Sequence, residues 1–160
     1  MKHLIVSLTS LLPALGILAS VSRPAGEDDK AAVTRVLNDY YSAFSTLDMQ
    51  AFVPYYHEPC FIVAPQGVAG VPTHAALVAT LTPSIEGLRT RGFARSKLIM
   101  LEVKRLSATT MLAGGVAVRY MTDSQELERV GVAYVLQKAD NRWRIVVIVV
   151  HDADNRLRLE

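Results

Sequence analysis

Past the midpoint of this 160-residue chain the hydrophobic pattern changes period. Four segments, "SKLIMLEVKRL", "TMLAGGVAVRYM", "ELERVGVAYVLQK" and "RWRIVVIVVH", are rich in valine, isoleucine, leucine and aromatics, and short polar loops such as "KADNR" separate them. Runs of this composition bounded by turn residues read as strands, and connections this short join antiparallel neighbours. The first half reads differently. Val33, Val36, Leu37, Tyr40 and Phe44 recur at helical spacing, behind Glu27, Asp28 and Asp29, where a helix dipole favours negative charge. Asp48 can cap a second, short helix from Met49 to Tyr56, which Pro54 bends or ends. Thr73 can cap a third that buries Leu77, Leu81, Ile85 and Leu88, kinks at Pro83 and stops at Gly92. "FIVAP" and "GVAGV" make a hairpin between the second and third helices. Helices first and a long meander afterwards define an α+β domain in which three N-terminal helices pack on a strongly curved, mainly antiparallel sheet. A bulge at Gly114 and Gly115 would let that sheet bend.

The chain is long enough for one hydrophobic core and too short for two. Its opening, "MKHLIVSLTSLLPALGILASVS", sets Lys2 and His3 before an apolar stretch broken by Pro13 and Gly16. That is the form of a secretory signal peptide over residues 1–22, with an uncleaved membrane anchor as the competing reading. Cleavage implies a secreted or periplasmic protein without stable membrane association; otherwise the chain is membrane-anchored or cytoplasmic. A linker over 23–27, a domain over 28–152 and a tail over 153–160 complete the organisation. Loss of Lys2 with the leader lowers the formal charge from +2 by one unit, and a near-neutral domain offers no electrostatic argument for a nucleic-acid partner. With Cys60 as the single cysteine, no internal disulfide exists to report on compartment.

"IVVIVV", residues 145–150, lacks the alternation of a strand with one wet face. Both faces of the sheet are expected to be covered there, one by helices and the other by a second subunit, so a homodimer is anticipated.

The phrases "YYSAFSTLDMQAFVPYY", "FIVAPQG", "VPTHAAL" and "NRWRIVVIVVHD", in that order, resemble the nuclear transport factor 2-like superfamily, beside the SnoaL-like polyketide cyclases and the ketosteroid isomerases. The resemblance spans about residues 28–152. It implies a cone-shaped fold enclosing a pocket, often dimeric, used for isomerisation, dehydration, cyclisation or ligand binding, and such a fold does not fix a function. The tyrosine that ketosteroid isomerases place in an oxyanion hole falls on Tyr40. Their Asp-Pro general base falls on Ala64-Pro65, and an alanine cannot abstract a proton, so isomerase chemistry by that route is not expected.

"YYHEPC", residues 55–60, brings an imidazole, a carboxylate and a thiol close together. One histidine and one cysteine without a second pair do not make a familiar zinc pattern, and Cys60, at the start of a buried strand, is expected as a core residue rather than a nucleophile. No metal and no cofactor are anticipated. His57 is expected at the rim where the second helix enters the sheet, and a reach into the pocket is its alternative reading. His151 ends the apolar last strand and is the candidate acid–base group; a surface His-Asp pair with Asp152 is the alternative. Arg119 shares a strand face with Gly115 and Ala117 under ideal alternation, and Gly131 and Ala133 on the next strand are expected to extend that face into a small-residue floor with one cation at its end. An ion pair from Arg119 to Glu126 or Glu128 competes with that role. Tyr134 is expected on the face opposite Arg119, as an aromatic wall. The expected function is a binding domain for a small apolar or carbonyl-containing ligand. Any catalysis would be non-hydrolytic proton transfer with His151 and Tyr40 as catalytic groups and Arg119, His57 and Tyr134 binding substrate. The alternative is a non-catalytic binding or dimerisation module.

Overall fold

The computed structural model describes residues 25–159; the expected leader over 1–22 lies outside the described residues. Helix α1 (Ala25–Phe44) starts slightly ahead of the expected Asp28. It buries Val33, Leu37, Tyr40 and Phe44 along the predicted stripe and adds Tyr41 to it. Asp48 caps α2 (Met49–Phe52) by accepting from the Gln50 amide at 2.9 Å. That helix is shorter than predicted because Pro54 opens a tighter 3-10 turn, Val53–Tyr55, and Tyr56 is already strand. Thr73 caps α3 (His74–Thr90), which runs on through Pro83 and buries Leu77, Ile85 and Leu88.

The six strands are β1 (Tyr56–Ala64), β2 (Gly67–Val71), β3 (Phe93–Arg105), β4 (Thr110–Met121), β5 (Glu126–Ala139) and β6 (Arg142–His151). They form one sheet in the order β2-β1-β6-β5-β4-β3. The long strands pair antiparallel as consecutive neighbours, and β1 joins β6 in parallel. Helix α3 touches both outermost strands, β2 and β3. One helix can reach both edges only if the sheet bends around the helical layer, which is the expected α+β cone.

Three irregularities set which residues face inward. Between the pairs Ile99↔Val116 and Glu102↔Gly114, β3 carries one residue more than β4, and Met100 there has a φ of 53°. The bulge therefore lies in the strand opposite the glycines, not in them. Gly115 lets the bulged strand close in, since a β-carbon on it would come within 3.0 Å of the Ile99 carbonyl oxygen. A second extra residue, Leu127, sits between Arg119↔Glu128 and Tyr120↔Glu126, and a third, Val146, between Leu136↔Ile145 and Val135↔Val147.

The inner face carries Ala113, Ala117, Val132, Tyr134, Leu136, Ile145 and Ile148 into the core with the helices. The outer face is divided. Over β3 and β4 it is crossed by the C-terminal residues, which leave β6 through a 3-10 turn (Ala153–Asn155) and bring Leu157 onto Gly114. Glu102 ties this strap down by accepting from Arg156 at 2.5 Å and from the Leu159 amide at 2.7 Å. Over β1, β2 and β6 the outer face stays open, with Phe61 44% and Val68 71% exposed.

Candidate functional site

The residues that sequence reasoning nominated fall in three places. The first is the interior. Tyr40 and Tyr56 join hydroxyl to hydroxyl at 2.9 Å, and Tyr41 and Tyr134 do the same at 2.5 Å. All four side chains are buried, and edge-on contacts tie Tyr40 to Tyr41, Phe52 and Tyr56. Burial pushes the Tyr40 phenol up to about 12, against smaller lowering effects of the Tyr56 hydroxyl and the Arg119 charge. Burial likewise raises Tyr41, Tyr56 and Tyr134. These are neutral phenols at any physiological pH, able to share hydrogen bonds but not to act as bases. Arg119 ion-pairs with Glu128, which also holds Arg91 at 2.6 Å, and its guanidinium carbon lies 5.7 Å from the centre of the Phe44 ring. The Arg119 Nε is buried without a hydrogen-bond partner among the described residues.

The expected small-residue floor is not formed. An undisturbed ladder running from Tyr120↔Glu126 would have set Gly131 opposite Gly115 on the face of Arg119. The extra Leu127 moves each later pair by one residue, so Gly115 faces Val132 and Ala113 faces Tyr134, and a one-residue slip exchanges the faces of a strand. Tyr134 consequently shares the face of Arg119 instead of opposing it, and Gly131 and Ala133 point outward.

The second place is that outer face, and His151 is there, paired with Gly131. Its ring lies over Gly131 so closely that a β-carbon at that position would overlap the imidazole and approach the Asp152 carbonyl oxygen to 2.6 Å. Nδ1 donates to that carbonyl at 2.8 Å, while the Asp152 carboxylate caps the following turn by accepting from the Asp154 amide. The sheet thus stands between His151 and the Tyr40, Arg119 and Tyr134 side chains, and the expected constellation does not converge.

The third place answers for "YYHEPC". Cys60 is buried, and burial followed by the Glu58 charge raises its thiol, away from nucleophilic character. His57 and Glu58 line an open cleft of about 610 Å³ between α1, the Val53–Tyr55 turn, the first residue of α3 and the β5–β6 connection. Strand β1 meets β6 only from Tyr56↔Ile145 onward, so Arg142, Trp143 and Arg144 have no strand beside them on that edge and border the cleft instead. His57 Nδ1 donates to the Pro59 carbonyl at 3.1 Å, which leaves Nε2 as an acceptor. His74 Nε2 donates to the Tyr56 carbonyl at 2.9 Å, and Glu58 accepts from the His74 amide. The apolar wall is made by Ala32, Val36, Pro54 and Trp143. Sequence reasoning named His57 for such a rim but missed His74, Arg35, Arg142 and Arg144; "NRWR" offered the signal, two arginines flanking a tryptophan. Among the described residues no group of three or more histidine, cysteine or acidic side chains is placed to hold a metal, and no helix is long and apolar enough to cross a membrane.

A family model described as NTF2-like protein (DUF6841) matches residues 28–153. The chain belongs to this NTF2-like family. The resemblance carried by the sequence phrases is thereby confirmed. An NTF2-like protein with a cystatin-like fold from Novosphingobium aromaticivorans superposes with a TM-score of 0.67 at 15% identity, over 81% of this chain and 84% of that one. Aln2 from a Streptomyces species gives 0.67 at 16% identity, over 79% and 92%. An NTF-2 like protein of unknown function from Shewanella oneidensis gives 0.61 at 20% identity, over 78% and 99%. At these identities the likeness is one of NTF2-like fold alone. No curated protein matches the chain.

Proposed function

We infer that this NTF2-like domain binds a small organic molecule, and that the ligand occupies the cleft beside His57 rather than the interior. One observation carries the reading: Tyr40, the interior position that the family resemblance marks for a hydrogen-bond donor, is closed off in a hydroxyl pair with Tyr56, whereas the cleft is open and measures about 610 Å³. Small-molecule sites span roughly 300–1,000 Å³ and combine apolar walls with a few polar groups. The ligand is an apolar or carbonyl-containing compound lying against Val36, Pro54 and Trp143. The Nε2 of His57, an acceptor once Nδ1 donates to the Pro59 carbonyl, is the group suited to take a hydrogen bond from a ligand hydroxyl or amide N–H, and it is the place to look for proton transfer. Ala32→Phe, which puts a ring into the cleft wall, should abolish the hits of a fragment screen followed by ligand-observed NMR. Hits that survive this substitution with unchanged affinity would overturn the reading.

A second reading, a dimerisation module, draws on a different observation: the open outer face over β1, β2 and β6, where Phe61 and Val68 stand exposed.

A further inference from the structure

Among the described arginines, most are engaged. Arg89, Arg91, Arg119, Arg129 and Arg156 each meet a glutamate, and Arg158 lies in the field of Glu102. Arg95 covers the Tyr120 ring, and Arg105 donates to the Ser107 carbonyl. Arg35, Arg142 and Arg144 have no ion pair, side-chain hydrogen bond or ring contact among the described residues, and all three line the cleft beside His57. The carboxylates closest in sequence do not answer them: Asp39, one turn further along α1, and Asp140, in the β5–β6 connection, pair with none of the three. The carboxylate that does line the cleft, Glu58, is taken up by the amide of His74.

A second observation is independent of charge. Trp143 is 5% exposed, borders the same cleft, and its indole Nε1 is buried with no hydrogen-bond partner among the described residues. A buried N–H without an acceptor is costly and calls for an explanation. An acceptor on a cleft ligand would satisfy it once the ring tips outward, because the N–H has no open surface in its present position.

Resting on the assignment of the cleft as the ligand site, we propose that its ligand is an organic acid, whose oxyanion is held by Arg35, Arg142 and Arg144 and whose apolar body lies along Val36, Pro54 and Trp143. Guanidinium groups match the planar geometry of carboxylate and phosphate oxygens with paired donors. On a strand, Arg142 and Arg144 project to one side and Trp143 to the other, so cations and indole embrace the exposed edge of β6 from both sides. An oxyanion there would also neutralise charge that the fold leaves uncompensated.

Trp143 is the single tryptophan of the chain, so its fluorescence reports occupancy of the cleft. The test titrates the full chain with 4-phenylbutyrate, phenyl phosphate and the neutral 4-phenylbutyramide. An acid should bind at least tenfold more tightly than the amide, with affinity falling as salt rises. The phosphate arm decides which oxyanion is preferred. Arg142→Ala combined with Arg144→Ala, both near the surface, should erase the advantage of the acid, while Arg89→Ala, which lies outside the cleft, leaves it intact. Equal binding of acid and amide would overturn the organic-acid assignment and keep the cleft as a ligand site. A Trp143 signal unmoved by all three compounds at millimolar concentration would overturn both.

Discussion

Removing one hydroxyl from the interior leaves another with nothing to bond. Tyr134→Phe strands the Tyr41 hydroxyl, which is buried and has no other side-chain partner among the described residues. An unsatisfied buried polar group costs about 1–3 kcal/mol, and urea unfolding should show a loss of that order. Adding Tyr41→Phe removes both ends of the bond, so the double variant should lose less than the sum of the single ones. Tyr40 was legible in the sequence as an inward position because its helical spacing put it on a defined stripe. What it would meet there was not, since Tyr56, in another element, supplies its partner. Cys60 was readable as a core residue from its place at the head of an apolar strand, and its raised thiol agrees with that. The unpaired arginines of the cleft were illegible, because whether a cation has a partner depends on which carboxylates the fold brings near it.

The C-terminal strap hangs on one carboxylate. Glu102 lies below the ordinary glutamate range, first because the Leu159 amide donates to it and then because Arg156 does. A carboxyl depressed by folding contributes stability above its unfolded value, about 4.3, and loses that contribution as the pH falls through the lower folded value. Acidification through that window should therefore release the strap ahead of the sheet. Exchange of the Leu159 amide, corrected for its intrinsic rate, should accelerate there, and Glu102→Gln should remove the pH dependence. The strand pattern made the existence, order and antiparallel pairing of β3 to β6 legible. The facing of β5 was not legible, because Leu127 adds one residue beside the turn and no turn signal in "MTDSQELE" marks it. The expected bulge at Gly114 and Gly115 came out one strand away for a related reason: the glycines mark where two backbones approach, while the extra residue belongs to the neighbour, at Met100.

Across the whole fold, the strap and the open patch divide the outer face between them. The patch over β1, β2 and β6 includes Phe61, Val63, Val147 and Val149 in register, and it is the surface on which the proposed homodimer would close. Phe61→Glu, on a side chain already 44% exposed, should leave the fold intact and give a monomeric mass in sedimentation equilibrium at micromolar concentration, where the unaltered chain gives a dimer. A monomer from the unaltered chain would remove the proposal. The run "IVVIVV" announced two covered faces, and among the described residues only the inner one is covered; Val146, an inserted residue, accounts for part of its failure to alternate.

Helix α3 lies against both β2 and β3, the two strands that end the sheet. Unpaired strand edges are templates for further chains, and here a single helix packs against both strands that carry them. Detaching that helix would therefore do more than expose a core: it would loosen both ends of the sheet at once, the two places where a neighbouring chain can add a strand.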